Sequence, residues 1–285
     1  MVLSLTRTSK TNVARRHGHH GATRGFTLIE LVVVVAIIGL LLAVLLPGLS
    51  NARRSGKIAV CGAHLRELGN ALQMYGNDYD GRLMPLAYWS FDIIQSGPVV
   101  YWWGTNESTV NYEAGFAWPY LQSPTRDGSV FECPEQPWGS YDPQGAAKSV
   151  TSTYGYNGYY LSPPHTPGWG FSIGLMPWLT FSKVKDPARV FAFADTLIDL
   201  GGGLPRNNAL LDPPMLFSAG AWETNPNPTT AFRHLGSTQV MHVDGHVGRY
   251  ASQPDWLTSE RFSIGSVETE NGPHYVPNWR DWPGP

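Results

Sequence analysis

A long apolar run from Phe26 to Leu49 sets the first limit on the structure of this chain. It contains 24 residues, of which Glu30 is the only charged one. At about 1.5 Å per residue, a helix over this run spans about 36 Å, which is enough to cross the hydrocarbon core of a bilayer. A carboxylate inside such a segment costs about 2.5–3.5 kcal/mol to insert, so the sequence indicates a function for Glu30.

The charged residues are distributed unevenly along the chain. Nine of the 20 Lys and Arg residues, but only one of the 22 acidic residues, lie at or before Arg66, which leaves 11 basic against 21 acidic residues in the remainder. The first 25 residues hold five Lys or Arg residues and no acid. This excess of positive charge predicts that the N-terminus stays in the cytoplasm and that the C-terminal body is exported. A nucleic-acid partner is not expected, because the body repels phosphate and the basic residues flank a membrane segment.

Two simpler explanations of the apolar run leave observations unexplained. A cleaved secretory signal has an apolar region of about 7–15 residues followed by a small-x-small cleavage site. The run here is longer, and the sequence Pro47-Gly48-Leu49-Ser50-Asn51-Ala52 at its end offers only a poor site. A plain signal anchor fits the length of the run but gives no reason for Glu30.

The start of the run carries a recognisable motif. Arg24 precedes the sequence Gly25-Phe26-Thr27-Leu28-Ile29-Glu30, and the apolar residues follow. This motif resembles the processing site of type IV prepilins and type II secretion pseudopilins. The resemblance implies that a prepilin peptidase cuts between Gly25 and Phe26 and methylates the new N-terminus at Phe26. It also implies that Glu30 pairs with the N-terminal amine of a neighbouring subunit during assembly, which gives a buried carboxylate an opposite charge.

A second helical pattern follows the membrane segment. Apolar residues recur at spacings of three and four, and the pattern stops at Gly76-Asn77; its members are Ile58, Cys61, Leu65, Leu68, Leu72 and Tyr75. We interpret this seam as the helix face that packs on the body of its own subunit, with a coiled-coil partner as the alternative. The predicted organisation is a cleaved basic leader (1–25), a transmembrane half-helix (26–49), an exported half-helix (50–77) and a β-rich globular domain (78–285).

The resemblance and the patterns together predict an α+β fold of the pilin type, a long N-terminal helix packed on an antiparallel β-sheet with long loops. Strands are expected in the body at 129–133, 153–161, 190–197, 238–243 and 246–250. The last two flank Asp244-Gly245, which predicts a hairpin with a two-residue loop.

The end of the body carries a second resemblance. Nine residues separate His234 from Asp244-Gly245. This spacing resembles the C-terminal H-X9-DG region of prepilin-like proteins from planctomycete-type bacteria, a region without a defined biochemical role. The stretches Phe193-Ala194-Asp195 and Phe131-Glu132-Cys133-Pro134 resemble the same group.

Three histidines and an aspartate lie in or near the predicted hairpin: His234, His242, Asp244 and His246. With a two-residue loop, His242 pairs with Val247, so His242 and His246 point to opposite faces of the sheet. They then cannot chelate one ion without a bulge. We therefore predict structural histidines, no metal site and no catalytic residue, with a partner contact as the alternative.

Other candidate sites have a plain structural interpretation beside the functional one. Asp78-Tyr79-Asp80-Gly81 resembles the start of a calcium loop but lacks the later acidic ligand, so no cofactor is predicted and calcium is the alternative. Cys61 and Cys133 are the only cysteines; a disulfide between them, worth about 2–4 kcal/mol, and a buried free thiol fit the sequence equally well. The 11 Trp and 13 Tyr residues are expected to fill the core, with a carbohydrate-stacking surface as the alternative.

These features favour a structural subunit that assembles into a type IV pilus or a type II secretion filament. The expected partners are a prepilin peptidase, other pilin or pseudopilin subunits, an inner-membrane assembly platform and membrane lipid. The expected location is the inner membrane, crossed once, and afterwards an extracytoplasmic filament. The alternative is a membrane-anchored, exported module that binds carbohydrate or peptide. An enzyme is not expected, because the sequence holds no convergent nucleophile–base pattern.

Overall fold

The structure, a computed structural model, describes residues 25–88, 100–106, 110–122, 129–136, 152–162, 179–201, 203–218 and 221–277. The chain divides into two compact units, Met1–Leu49 and Ser50–Pro285. Its described part consists of a long N-terminal helix followed by short, antiparallel strands. The predicted α+β, pilin-like fold class is therefore confirmed.

The long helix, α1, runs from Leu28 to Asp78. Every residue of the part that belongs to the first unit is exposed, and Pro47 lies inside the helix. By length and composition, the helix is long and apolar enough to cross a membrane. It ends just beyond the predicted stop at Gly76-Asn77, where the N–H of Gly81 donates to the carbonyl of Gly76 over 2.7 Å.

In the second unit, the apolar seam of α1 packs on the body of the subunit. Five members of the predicted seam are no more than 4% exposed, namely Cys61, Leu65, Leu68, Leu72 and Tyr75, and Ile58 is half-buried. The side-chain amide of Gln73 donates to the carbonyl of Val243, and that of Gln239 donates to the carbonyl of Ile58. A Cβ built on Gly69 would stand 3.0 Å from Cε of Met241, so helix and sheet are in close contact there. The predicted packing of the seam is confirmed.

The elements that follow α1 are short. In chain order they are β1 (Ala87–Tyr88), β2 (Val100–Tyr101), β3 (Gly104–Asn106), β4 (Val110–Asn111), α2 (Trp118–Leu121), β5 (Tyr154–Tyr156), α3 (Gly158–Leu161), β6 (Phe191–Asp195), β7 (Met215–Ser218), β8 (Ala221–Thr224), β9 (Thr230–Ala231), β10 (Ser237–His242), β11 (Val247–Ala251), β12 (Leu257–Ser259) and β13 (Ile264–Gly265). Single 3-10 turns lie at Phe181–Lys183 and Pro254–Trp256.

The sheet that carries the helix has the order β11-β10-β6-β5, with all neighbours antiparallel. Its two central strands, β6 and β10, are buried at every residue. Because both faces of these strands are covered, they do not show the alternation of apolar and polar residues that marks a half-exposed strand. The remaining strands form sheets of order β1-β2-β3-β4 and β12-β13-β9 and the pair β7-β8.

The strand predictions are correct for the C-terminal sheet and wrong in two other places. Strands β6, β10 and β11 match the predicted segments 190–197, 238–243 and 246–250 within one or two residues at each end. Residues 129–133 form turns instead of a strand. In segment 153–161 only β5 is extended, because the chain turns at Asn157 into α3.

The hairpin between β10 and β11 has a longer loop than predicted. Met241, not His242, is the residue that pairs with Val247. The N–H of Gly245 donates to the carbonyl of His242, and the N–H of His242 donates to the carbonyl of His246. This is a three-residue loop in which Gly245, at φ 94°, occupies the left-handed position of a bulge. The two-residue loop predicted from Asp244-Gly245 is therefore wrong.

Aromatic side chains fill the core of the body. Trp102 is fully buried, and its ring lies 5.1 Å from Phe193 and 5.7 Å from Phe131 between centroids. The indole N–H of Trp102 donates to the carbonyl of Ala209 over 2.9 Å, which satisfies its polar atom inside the core. For these residues the core interpretation of the aromatic content is the correct one.

Candidate functional sites

The motif at the start of the apolar run lies at the first turn of α1, where Thr27 and Glu30 cap the helix. The backbone N–H and the hydroxyl of Thr27 each donate to Oε2 of Glu30 over 2.8 Å. In return, the N–H of Glu30 donates to the Thr27 hydroxyl oxygen over 3.3 Å. This reciprocal arrangement is a capping box, which satisfies backbone donors that a helix start otherwise leaves unpaired. Glu30 thus has a local structural task in the single chain.

The residues around this cap offer large apolar surfaces. Phe26 is 72% exposed and Leu28 is 79% exposed, and the side chains that follow them on α1 are exposed as well. A Cβ built on Gly25 meets no atom of the described residues within 4 Å. Packing within the described part of the chain therefore gives no reason for a glycine at position 25.

A second candidate site is a cluster of four buried side chains in the body, which we call the Cys-Asp-His cluster. Its members come from four separate segments: Cys61 from α1, Cys133 from the turns at 129–136, Asp195 from the last position of β6, and His234 from the loop between β9 and β10. All four are at most 1% exposed. One donor atom from each member lies within 4.8 Å of all the others.

The individual distances in the cluster are short and converge on one nitrogen. Nε2 of His234 lies 3.2 Å from Sγ of Cys133 and 3.2 Å from Oδ2 of Asp195. Sγ of Cys61 lies 3.5 Å from Oδ1 of Asp195. A catalytic Cys-His-Asp arrangement needs the two ring nitrogens for different partners, one for the nucleophile and one for the orienting carboxylate. Here both contacts use Nε2, so the geometry does not match that of a relay.

Neighbouring groups hold the carboxylate of Asp195 in place. The backbone N–H of Gln239 on β10 donates to Oδ2 over 3.0 Å, and Nε of Arg233 lies 3.9 Å from Oδ1. Arg233 also donates from Nη2 to the backbone carbonyls of Thr153 and Thr196. Asp195 is therefore held by a backbone N–H of β10 and by one largely buried cation.

The surroundings shift the pKa values of the cluster residues. Burial acts to raise the pKa of Cys133, but the hydrogen bonds from Cys61 and His234 prevail and lower it to about 6. Burial acts to lower the pKa of His234, but the hydrogen bonds with Asp195 and Cys133 raise it to about 9. The pKa of Asp195 is lowered despite its burial, by the hydrogen bond from His234 and the charge of Arg233. Burial raises the pKa of Cys61 well above its ordinary value.

These shifts give the cluster a defined charge state at neutral pH. The Cys133 thiolate and the Asp195 carboxylate face the imidazolium of His234 and the guanidinium of Arg233, while Cys61 keeps its proton. If a metal ion displaces the protons of His234 and Cys61, two thiolates, a carboxylate and a neutral imidazole face one point, and these are donor types from which transition-metal sites in proteins are built.

Comparison with known proteins identifies the N-terminal segment. Residues 21–46 match the family model described as the prokaryotic N-terminal methylation motif. Over these residues the chain carries a prepilin-type N-terminal motif. A curated relative, the type IV wide pilus major component PilA4 of Thermus thermophilus, is 46% identical over 55 residues. The match covers 19% of this chain and 42% of that protein, so the chain spans less than half of the length of the relative. No solved structure matches the chain.

The residues that the prepilin-type motif singles out lie at the start of the described chain, and their roles in processing and assembly stay predictions. Gly25 and Phe26 precede α1, and Glu30 lies in its first turn. Thr27 is the partner of the Glu30 carboxylate within the chain, and the sequence prediction did not include it. The signal for it was present, because Thr-x-x-Glu before an apolar run is the sequence pattern of a capping box.

The histidines of the C-terminal region separate into two places. His234 belongs to the Cys-Asp-His cluster, whereas the rings of His242 and His246 stack with their centroids 3.9 Å apart. The prediction that His242 and His246 point to opposite faces is wrong, because the bulge at Gly245 returns both rings to the same side. Asp244 stays local to the turn, where its Oδ1 accepts from the N–H and from Nδ1 of His246.

The two cysteines are both buried and free in the structure, which is the second of the two interpretations of the sequence. The pairing of Cys61 with Cys133 stays a prediction, since the sulfurs belong to the same cluster. Asp195 was noticed in the sequence only as part of Phe193-Ala194-Asp195, and no spacing links it to a cysteine or histidine. In the calcium-like segment, Oδ2 of Asp78 accepts from the hydroxyl of Tyr120 over 2.8 Å, and calcium binding there stays a prediction.

Proposed function

We propose that this chain is a structural pilin-like subunit that is cleaved between Gly25 and Phe26 and assembled into a type IV pilus or type II secretion filament. The observation that carries the proposal is the apolar part of α1, which is exposed along its whole length and begins with the methylation motif. Exposure of an apolar surface of this extent to water is unfavourable in free energy. In the proposal, lipid covers this surface before assembly, and other subunits cover it after assembly.

Processing at Gly25 accounts for a glycine that the structure does not otherwise need. No described side chain packs at its Cα, and its neighbour Phe26 is exposed. A requirement for glycine at such a position fits recognition by an enzyme that must approach the backbone closely. The expected product begins with N-methylated Phe26.

The capping box suggests how Glu30 serves both the single chain and the filament. In the single chain, Thr27 supplies the hydrogen bonds of the carboxylate, which reduces the cost of holding that group at membrane depth. In the filament, the amine of Phe26 from a neighbouring subunit adds an opposite charge at the same oxygens. The pair would fix the register between subunits because a carboxylate and an ammonium without water strongly favour contact.

The proposed location and partners follow from the same segment. The basic leader places the N-terminus in the cytoplasm and the body outside the inner membrane. The partners are a prepilin peptidase, further pilin or pseudopilin subunits, and an inner-membrane assembly platform. The protein acts structurally, and neither catalysis nor nucleic-acid binding is part of the proposal.

Processing is tested with two glycine variants. We expect Gly25→Leu to leave the full-length precursor in the membrane. Gly39→Leu is the control and should be cut normally, because a Cβ at Gly39 also meets no described atom within 4 Å. Intact-mass measurement of the membrane-extracted protein gives the N-terminus. A mature form that begins at Met1 or near Ser50 in the wild type would reject the proposed cleavage.

Assembly is tested by variants that separate the charge of Glu30 from its capping role. Glu30→Gln keeps a side chain that can complete a capping box but loses the charge, and Glu30→Leu loses both. If charge pairing drives assembly, both variants insert into the membrane but are absent from the fraction of sheared filaments. A Gln variant that assembles normally, beside a Thr27→Val variant that does not, would show that the cap is the function and would reject the pairing.

A further inference from the structure

The Cys-Asp-His cluster lies outside the matched residues 21–46, and the proposed filament function makes no use of it. We propose that Cys61, Cys133, Asp195 and His234 form a zinc site that fastens α1 to the body. Two thiolates, one imidazole and one carboxylate form a donor set that suits Zn²⁺, which binds Cys, His and Asp in four-coordinate, tetrahedral sites.

The spacing of the donor atoms fits a tetrahedral ion. Bonds of about 2.0–2.3 Å in tetrahedral geometry place neighbouring ligand atoms about 3.3–3.8 Å apart. The separations are 3.2 Å from Nε2 of His234 to Sγ of Cys133 and to Oδ2 of Asp195, and 3.7 Å from Sγ of Cys61 to the same Oδ2. With all four donors within 4.8 Å of one another, closure around an ion requires shifts of about 1 Å or less.

The direction of the histidine favours a metal over the alternatives. Nε2 faces both Cys133 and Asp195, so a single point near Nε2 is shared by three of the four donors. Nδ1 of His234 is buried and has no hydrogen-bond partner among the described residues, so it takes no part in a relay. A disulfide between Cys61 and Cys133 would bond the two sulfurs to each other. It would not explain why His234 and Asp195 face the same point.

Charge in the cluster balances when zinc is bound. Two thiolates and one carboxylate carry three negative charges, and the ion contributes two positive ones. The guanidinium of Arg233, 3.9 Å from Asp195, offsets the remaining charge in a site that is otherwise buried. The N–H of Gln239 donates to Asp195 and orients the carboxylate from outside the ligand set.

A zinc ion here would connect parts of the chain that are distant in sequence. Its ligands belong to α1, to the turns at 129–136, to the end of β6 and to the loop before β10. Because the unfolded chain has no such site, the binding free energy of the ion would add to the stability of the folded body. The site would thus hold the exported half of α1 against the sheet.

The test is metal analysis of the full chain, purified in detergent without added reductant or chelator. We expect about one zinc ion per chain by inductively coupled plasma mass spectrometry. We further expect two thiols to react with a maleimide only after unfolding in the presence of a chelator. Replacement by Co²⁺ should give the intense visible absorption of a tetrahedral, thiolate-bound ion, and chelation should lower the melting temperature until zinc is returned.

Four variants assign the ion to the cluster. Zinc should be lost in Cys133→Ser and in His234→Phe, and kept in His234→Cys, which replaces one good zinc ligand by another. His242→Phe, at a buried histidine outside the cluster, should keep zinc. The comparison of His234→Cys with His234→Phe is the most informative one. If His234 only supported the fold, cysteine at this position would not retain zinc that phenylalanine loses.

Three outcomes would overturn the site. One is wild-type protein without zinc that gives no tetrahedral Co²⁺ spectrum. Another is a Cys61–Cys133 disulfide in the protein isolated without reductant, since oxidised sulfurs cannot bind as thiolates. The third is zinc that survives both Cys133→Ser and His234→Phe, which would place the ion elsewhere in the chain.

Discussion

Acid should weaken the folded body through His242. This ring is 1% exposed, stacks on His246 and meets the edge of Phe191 at 5.2 Å between centroids. Burial lowers its pKa, and the neighbouring His246 lowers it further, to about 4. Among the described residues, the titratable side chains of Asp244 in the turn, of His274 and of Tyr250 also face it, and the hydroxyl of Tyr250 lies 3.3 Å from Nε2.

The size and sign of the effect follow from the two protonation states. In the unfolded chain the imidazole has its ordinary pKa of 6.5, and in the folded body the pKa is about 4. Between these values the unfolded chain binds a proton that the folded chain does not, so the free energy of unfolding falls as the pH falls. At about 1.4 kcal/mol per pH unit, the full difference corresponds to a loss of about 3 kcal/mol. The contribution is intact above pH 6.5 and is lost near pH 4.

The assay compares wild type with His242→Phe, which keeps an aromatic ring of similar shape but cannot be protonated. Urea unfolding of the full chain in detergent, followed by tryptophan fluorescence, gives the free energy of unfolding at each pH. We expect the advantage of the variant over the wild type to grow by about 3 kcal/mol between about pH 7 and pH 4. His64→Phe serves as the control, since His64 lies on α1 and outside this group of rings. A difference between wild type and His242→Phe that does not change with pH would refute the burial argument.

Two further predictions concern the same body. Burial raises the pKa of Asp212 to about 7. The folded body therefore loses stability as the pH rises from about 4 to about 7, because the unfolded chain releases this proton more readily. Relative to wild type, Asp212→Asn should be more stable at about pH 8 than at about pH 4. Equal effects of Asp212→Asn on the urea midpoint at both pH values would contradict this. Trp102→Ala should destabilise the body by about 3–5 kcal/mol, because it leaves a cavity among buried rings and an unpaired carbonyl at Ala209. Trp118→Ala, at a half-buried position, serves as the control, and equal urea midpoints for the two variants would contradict it.

Local patterns in the sequence determined the long N-terminal helix. The apolar run, the motif at Gly25-Phe26 and the seam from Cys61 to Tyr75 are read over short distances, and a helix repeats every 3.6 residues. Spacing alone therefore predicted which face of α1 is buried. The capping box at Thr27 and Glu30 was equally readable, since its two members are one helical turn apart.

The sequence predicted the strands less accurately than the helix, and the physical reason differs between strands. In β6 and β10 both faces are covered, so the alternation that normally marks a strand is absent and only their apolar, β-branched or aromatic character remained as a signal. Asp244-Gly245 correctly indicated a hairpin, but the dipeptide fits loops of more than one length. The added residue turned His242 and His246 to the same side, which no local pattern specified.

Only the tertiary structure could assemble the Cys-Asp-His cluster. Each member was visible in the sequence, but Cys61 looked like part of a helix seam, Asp195 like the end of a strand and His234 like part of a C-terminal motif. They meet because α1 lies on the sheet, and because β6 and β10 are neighbours although they are distant in the chain. Sequence spacing encodes periodicity within one element, whereas contacts between elements depend on how the whole chain packs, and that packing brought the four side chains to one point.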